Sequence, residues 1–351
     1  MTRIAVIPGD GIGVEVTHEA VETLKEAARL GGRPLEFEEF PYGADHFLRT
    51  GETLPQDGFD RLSTFDAILL GALGDPRVPD NRHAADILLG LRFRLDLYVN
   101  HRPVRLLDER LCPLKGRGTK DVDFVIFREN TEGLYAGVGG FFKKGTADEM
   151  AVQQDINTRK GVERIIRHAF EWARAHGRRR VLMSDKSNAL TYGHDLWQRV
   201  YREIAPAYPE IEASHMYVDA LAMQLVKDPS PYQVIVACNM FGDILSDLGA
   251  QIQGGLGLAA SANLHPGRIG LFEPVHGSAP KYAGRNVANP IGAILSASML
   301  LDTVGRPEEA RRVEAAVAAC VREGRTTHDL GGSLGTREAG EAIRAVLRAR
   351  G

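Results

Sequence analysis

An α/β fold with a largely parallel sheet is predicted by three features of the sequence. Short β-branched runs recur along the chain, helix-period segments stand between them, and Gly- and Asp-rich turns mark the joins. With 351 residues, 44% of them apolar and 25% charged, the chain can bury a large core without disulfides or structural metals.

The first run, Arg3 to Pro8 (RIAVIP), ends in Gly-Asp-Gly and reads as a buried strand followed by a tight turn. Apolar residues then fall at helical spacing from Val14 to about Leu30. Leu35 to Phe40 and Asp66 to Leu70 read as strands. A second set follows Arg102-Pro103: strands at Asp123–Phe127, Arg180–Met183, Ile211–Val218 and Gln233–Ala237, with an amphipathic helix over Lys160–Ala175. Beyond Gly255 the chain is small and Gly-rich, then helical from about Asn289. Helices at about Pro307–Arg322 and Arg337–Arg348 flank a loop at Gly331-Gly332.

Composition excludes several classes. A net charge of -3 gives no basic field for nucleic acid. Cys112, Cys238 and Cys320 are odd in number and widely spaced, so neither a disulfide framework nor a zinc site is expected, and a reduced, cytoplasmic setting is. The opening MTRIAVIPGDGIG lacks the pattern of a signal peptide, and no apolar run reaches membrane-spanning length.

The sharpest chemical feature is Asn239-Met-Phe-Gly-Asp243-Ile-Leu-Ser-Asp247. Its two acids, four apart at a predicted helix start, share one face. Alone they would be an ordinary acidic first turn. They follow the strand VIVAC, however, and α/β folds bind ligands at strand carboxyl ends. Asp219, also after a strand, is the natural third acid, and three carboxylates suit Mg²⁺ or Mn²⁺. Arg92, Arg102 and Arg128 each follow or interrupt an apolar stretch, as forks for carboxylates would. Tyr135, after the turn that begins at Arg128, is a candidate proton donor. Lys186 follows the strand RVLM, and a lysine beside a divalent cation is a candidate proton acceptor. Gly9-Asp-Gly11-Ile-Gly13 is not Gly-x-Gly-x-x-Gly and is a weak dinucleotide signal. Glu273-Pro-Val-His276-Gly277-Ser278-Ala279-Pro-Lys281-Tyr282, followed by Asn289, has glycines that allow close approach to a phosphate.

These residues resemble the β-decarboxylating dehydrogenases: the isocitrate, 3-isopropylmalate, homoisocitrate and tartrate or D-malate enzymes. The resemblance runs end to end through IPGDGIG (7–13), RENTEGLY (128–135), DKSNAL (185–190), VDALAMQL (218–225), NMFGDILSD (239–247), EPVHGSAP (273–280), NP (289–290) and DLGGS (329–333). It implies the isocitrate/isopropylmalate dehydrogenase-like fold, two lobes with a central cleft and not the usual Rossmann domain. Residues 1–100 and 255–351 would form a large lobe with the cofactor site, and 101–254 a small lobe with the dimer contacts. It implies a homodimer in which Lys186 and Asp219 come from one copy and Asp243 and Asp247 from the other. Arg92, Arg102 and Arg128 would grip substrate carboxylates; Asp219, Asp243 and Asp247 would hold the metal; Lys186 would take the hydroxyl proton and Tyr135 return one to carbon. Glu273, His276, Gly277, Ser278, Ala279, Lys281, Tyr282 and Asn289 would form the cofactor site.

Substrate choice in the family is read mainly from the helix before Arg92. Leu88-Leu89 suits an apolar substituent, as in 3-isopropylmalate. Isocitrate enzymes have Ser-x-Asn there, and homoisocitrate enzymes tend to an Arg at the position of Leu89. RENTEGLY departs from the Arg-Glu-Leu-Thr-Gly form common in isopropylmalate enzymes, and INTRKGVERIIRHAFE and SANLHP lean toward the tartrate/D-malate branch. 3-Isopropylmalate is the first expectation and D-malate or tartrate the second, ahead of homoisocitrate and isocitrate. For the cofactor, isopropylmalate-type enzymes use NAD, whereas Lys281-Tyr282 resembles NADP-linked isocitrate enzymes. The other classes weighed are a regulatory subunit, which would have lost one of the acids, the Lys or the Tyr, and a phosphate-binding protein built on GDGIG, which would leave three acids and three arginines unexplained.

Overall fold

The computed structural model describes residues 1–350. Its strands are β1 (Thr2–Gly9), β2 (Leu35–Glu39), β3 (Ala67–Ala72), β4 (Val99–Arg105), β5 (Asp123–Glu129), β6 (Gly139–Phe142), β7 (Met150–Gln153), β8 (Arg180–Asp185), β9 (Glu212–Tyr217), β10 (Val234–Ala237), β11 (Ala260–Leu264) and β12 (Gly270–Pro274). The helices are α1 (Gly13–Leu30), α2 (Ala44–Thr50), α3 (Gln56–Leu62), α4 (Arg82–Arg94), α5 (Arg159–Ala175), α6 (Gly193–Ile204), α7 (Val218–Lys227), α8 (Asn239–Ile252), α9 (Ile291–Thr303), α10 (Pro307–Arg322) and α11 (Thr336–Arg350). Two units result. One holds Met1–Leu97, Arg105–Thr119 and the chain from Ala250 onward; the other holds Tyr98–Val104 and Lys120–Gly249.

In the first unit the strand order is β2-β1-β3-β12-β11. The β1, β2, β3 and β12 pairings are parallel, and β11 runs antiparallel to β12. Strand β3, AILLGA, is buried at every position because both of its faces are covered. On one face α1 lays down Val16, Ala20, Leu24 and Ala27 beside Ile294, Leu300, Val317 and Ile343 from α9, α10 and α11. On the other, Ile87 and Leu91 of α4 pack with Phe40, Leu62 and Leu70.

In the second unit the order is β4-β5-β10-β8-β9. Strand β10 is buried throughout and lies parallel between β5 and β8, and β9 is parallel to β8. Parallel alignment puts Arg128, Asp185 and Asn239 at neighbouring strand carboxyl ends. Helix α5 starts where Thr158 accepts the Gly161 N–H at 3.0 Å, and it buries the stripe Val162, Ile165, Ile166, Ala169, Phe170 and Ala173.

Some elements differ from expectation. The Gly-rich stretch after Gly255 contains β11 and β12, neither of which has a β-branched residue to mark it as a strand. Helix α8 begins at Asn239, so Asp243 lies in its second turn rather than at its start. Asp219 is the second residue of α7, and Tyr217 occupies the N-cap.

Candidate functional site

In the second unit three predicted residues converge on the carboxylate of a fourth. Asp243 receives the Arg102 guanidinium at 2.9 Å, an ion-paired hydrogen bond from Arg128, and the Tyr135 hydroxyl at 2.7 Å. Gly242 makes the approach possible: a Cβ there would meet Arg128 Cβ at 2.6 Å, so α8 can lie against β5 only with glycine at this position. Arg128 is nearly inaccessible and donates through Nε to Asn239 Oδ1 at 2.9 Å; its guanidinium stands 5.0 Å from the centroid of the Tyr135 ring. Burial, with Asp243 beside it, pushes the Tyr135 phenol above its ordinary range. Asp247, one turn on, lies 3.8 Å from Arg102. Burial raises its carboxyl, and Arg102 only partly opposes this.

Lys186 follows β8, and its amine pairs with Asp219 Oδ2 at 2.9 Å. That contact holds the Asp219 carboxyl below its ordinary range. Among the described residues no three His, Cys, Asp or Glu side chains of one chain group to hold a metal ion. Asp243 and Asp247 therefore offer a two-acid edge, which is oxygen-only and under-compensated at Asp247. That edge fits a hard divalent cation completed by ligands from elsewhere.

In the first unit Arg92 is buried and donates to Glu273 Oε1 at 2.8 Å, while Asn263 donates to the same oxygen at 2.9 Å. The Arg92 Nε–H is buried with no partner among the described residues, a donor left for an incoming acceptor. Leu88 packs against the α4-side core, whereas Leu89 is half-buried and outside it. The cofactor candidates form a loop after β12. His276 Nε2 is buried with no partner among the described residues, and Gly277 has open space where a Cβ would stand. Ser278 donates to Gly74 O at 2.5 Å, and Ala279 adopts φ 37°. The Lys281 amine lies 4.8 Å from the centroid of the exposed Tyr282 ring and has no acidic partner among the described residues. Asn289 donates to Asp329 at 2.9 Å.

The GDGIG turn is scaffold. Asp10 N–H donates to Ala72 O and Ile12 N–H to Ser278 O, at 2.7 and 2.8 Å. At Gly11 (φ +57°) a Cβ would meet Ser278 O at 2.1 Å. The Asp10 carboxylate accepts Ala44 N–H at 2.7 Å and Gly74 N–H at 2.8 Å, and bonds the His83 ring at 2.8 Å. With those amides engaged internally, the turn does not cradle an anion as a phosphate-binding loop would.

The sequence profile described as isocitrate/isopropylmalate dehydrogenase matches residues 3–343. The chain belongs to this family. Curated relatives named 3-isopropylmalate dehydrogenase include those of Thermobifida fusca, 46% identical over 92% of this chain and 91% of the relative, and Frankia casuarinae, 46% over 99% and 97%. Another is that of Clavibacter michiganensis subsp. michiganensis, 49% identical over 90% of each chain. Among solved structures, the isocitrate dehydrogenase of Methylococcus capsulatus superposes with TM-score 0.90 at 37% identity, covering 99% of this chain and 100% of that one. The TT0538 protein of Thermus thermophilus superposes at 0.86 with 39% identity, over 98% and 68%. As a member of the isocitrate/isopropylmalate dehydrogenase family the chain is an oxidoreductase. Among the described residues no helix is long and apolar enough to cross a membrane.

Two further residues bind the predicted site residues and carry no signal of their own in the sequence. Ser246 accepts from Arg102 at 2.6 Å, and Asn239 ties Arg128 to the Glu132 carbonyl. Both lie inside the NMFGDILSD segment, where i, i+3 and i, i+4 neighbours of Asp243 were the available signal.

Proposed function

We propose that the protein is a 3-isopropylmalate dehydrogenase, oxidising the C2 hydroxyl of its substrate and releasing the carboxylate on C3, β to the new ketone, as CO₂. The convergence of Arg102, Arg128 and Tyr135 on Asp243 carries the reaction class. Relatives of that name and the half-buried Leu89 support the substrate. Arg102 and Arg128 each present a fork to a substrate carboxylate, and Arg92 a free Nε–H to the other. Lys186 accepts the hydroxyl proton, and Tyr135, held protonated by burial and Asp243, returns a proton to carbon after CO₂ departs. A divalent cation at Asp243 and Asp247, with Asp219 of a second copy, supplies Lewis-acid polarisation. The nicotinamide cofactor, held by the loop from Glu273 to Asn289, supplies the hydride acceptor. Lys281 and Tyr282 are open to a 2′-phosphate, so NADP is accepted alongside NAD.

The active unit is a homodimer with shared sites. The β6–β7 arm exposes Phe141, Phe142, Met150 and Val152, and α7 and α8 expose Met223, Val226 and Ile244, more apolar surface than isolated elements need. Each copy then places its cofactor loop in the first unit and its dimer contacts in the second.

Initial rates on 3-isopropylmalate, D-malate, tartrate, isocitrate and homoisocitrate, each with NAD and NADP plus Mn²⁺, test the substrate and cofactor. A preference for another acid replaces the substrate assignment, and turnover that survives chelation removes the metal. Shared sites predict that Lys186→Met and Asp243→Asn, each inactive alone, recover roughly a quarter of wild-type activity when refolded together. No recovery despite dimer exchange refutes sharing.

A further inference from the structure

Lys186 is held by its backbone as well as by its ion pair. Its N–H donates to Nδ1 of His194 at 2.9 Å. Its carbonyl accepts the N–H groups of Ala189 at 2.9 Å and Leu190 at 2.8 Å. The preceding Asp185, fully buried, accepts Ser187 N–H at 3.1 Å and Gln198 at 2.8 Å, and bonds the His215 ring at 2.9 Å. His194 is the second residue of α6 and is itself fully buried. An amide N–H can only donate, so Nδ1 must keep its lone pair and the neutral ring carries its proton on Nε2.

The surroundings favour that neutral form. Nε2 faces Asp155 Oδ2 at 3.8 Å, beyond hydrogen-bond reach, and has no partner among the described residues. The Phe241 ring of α8 covers the imidazole with centroids 5.5 Å apart. The charged groups around it are Asp155, from the loop before α5, and Asp185 and Lys186 at the end of β8. Burial holds His194 below the ordinary histidine range against the pull of both acids. A second proton would set Nδ1–H against the Lys186 N–H and break the tie.

We propose that His194 is a positioning residue which, through Nδ1, fixes the backbone at Lys186 and with it the reach of the amine that takes the substrate's proton. The inference rests on the role of Lys186 proposed above. It assigns a function to a buried histidine that touches no substrate, cofactor or metal ligand among those proposed.

The test compares His194→Asn, which keeps an acceptor near the position of Nδ1, with His194→Leu, similar in shape but without one. Lys186→Met is the control, and the substrate is whichever hydroxy acid the wild type turns over. The leucine variant, folded by circular dichroism, is expected to lose roughly ten- to hundredfold in kcat, with KM changed by less than about threefold. Its Lys186 amide, followed by hydrogen-exchange mass spectrometry, should exchange faster. The asparagine variant should recover to within about fivefold of wild-type kcat and restore amide protection. A folded Lys186→Met variant that keeps wild-type kcat overturns the role of Lys186 and the inference with it. An inactive Lys186→Met beside a folded His194→Leu of wild-type kcat overturns the inference alone. Should His194→Leu not fold, the asparagine variant decides: near-wild-type kcat with a protected amide supports the assignment, and a hundredfold loss in a folded protein overturns it.

Discussion

Replacing Asp243 by Asn should destabilise the metal-free protein, whereas replacing Asp247 should not, although both acids are assigned to one cation. Asp243 neutralises two guanidiniums, of Arg102 and Arg128, that are almost wholly buried. Stranding buried charges costs about 3–5 kcal/mol when a partner is removed. The Asp243 side chain is 31% exposed and asparagine keeps one acceptor, so about 2–3 kcal/mol is the reasonable figure. With a urea slope of roughly 1–3 kcal/mol per molar, the midpoint should fall by about 1 M. Asp247 is 58% exposed and 3.8 Å from Arg102, so its replacement should stay within about 0.5 kcal/mol. Both tryptophans, Trp172 and Trp197, lie in the unit that carries these acids, so their fluorescence reports its unfolding directly. Adding Mn²⁺ at a hundred times its dissociation constant should stabilise the wild type by about 2.7 kcal/mol and neither variant. Equal metal-free midpoints for the two variants, at one protein concentration, would refute the charge argument. An undiminished Mn²⁺ effect in Asp247→Asn would refute the metal assignment.

Three other outcomes follow from the same geometry. Lys281→Asp should move cofactor preference from NADP toward NAD by roughly tenfold in kcat/KM, since the side chain is an exposed cation and its charge is reversed; an unmoved ratio removes Lys281 from the cofactor site. Leu89→Ala should cost about 1.5–3 kcal/mol in kcat/KM for 3-isopropylmalate and little for D-malate, measured by initial rates; equal losses on both acids would mean that Leu89 does not meet the substituent. Acid should loosen the second unit through His101 and His168, packed around Phe127 and pushed down by burial to about 3 and about 4. Their folded values lie below the ordinary 6.5, so the stability they confer is complete above that pH and is lost as pH falls toward 4. By pH 5 the loss reaches up to about 2 kcal/mol for each histidine, and His168→Phe should flatten the slope of urea midpoint against pH.

Much of the site is legible in the sequence because its residues sit at the ends of strongly patterned strands. VIVA is apolar at every position and announces a buried parallel strand, which by itself puts Asn239 through Asp247 at a carboxyl end. DFVIF does the same for Arg128. What spacing cannot supply is lateral order. Arg102, Arg128 and Tyr135 meet Asp243 because β4, β5 and β10 are neighbours in the sheet, a fact of tertiary packing. Strands β11 and β12 are hidden for the opposite reason: ASANL and GLFEP are buried by surrounding helices and need no β-branched pattern of their own. The contact of His194 with Lys186 depends on how α6 enters after the turn at 186–190, and no period in the sequence encodes that.

The division of the chain has a consequence for how the protein is made. Strand β3 is apolar throughout, and its register pairs Ala67 with Gly270 on β12. On a ribosome adding about 5–20 residues per second, β3 waits about 10–40 s for that partner to emerge. The intervening unit, nearly continuous from Lys120 to Gly249, can meanwhile close on itself. During that interval the nascent chain carries a bare hydrophobic strand edge, the kind of surface that chaperones capture and that aggregates when they do not.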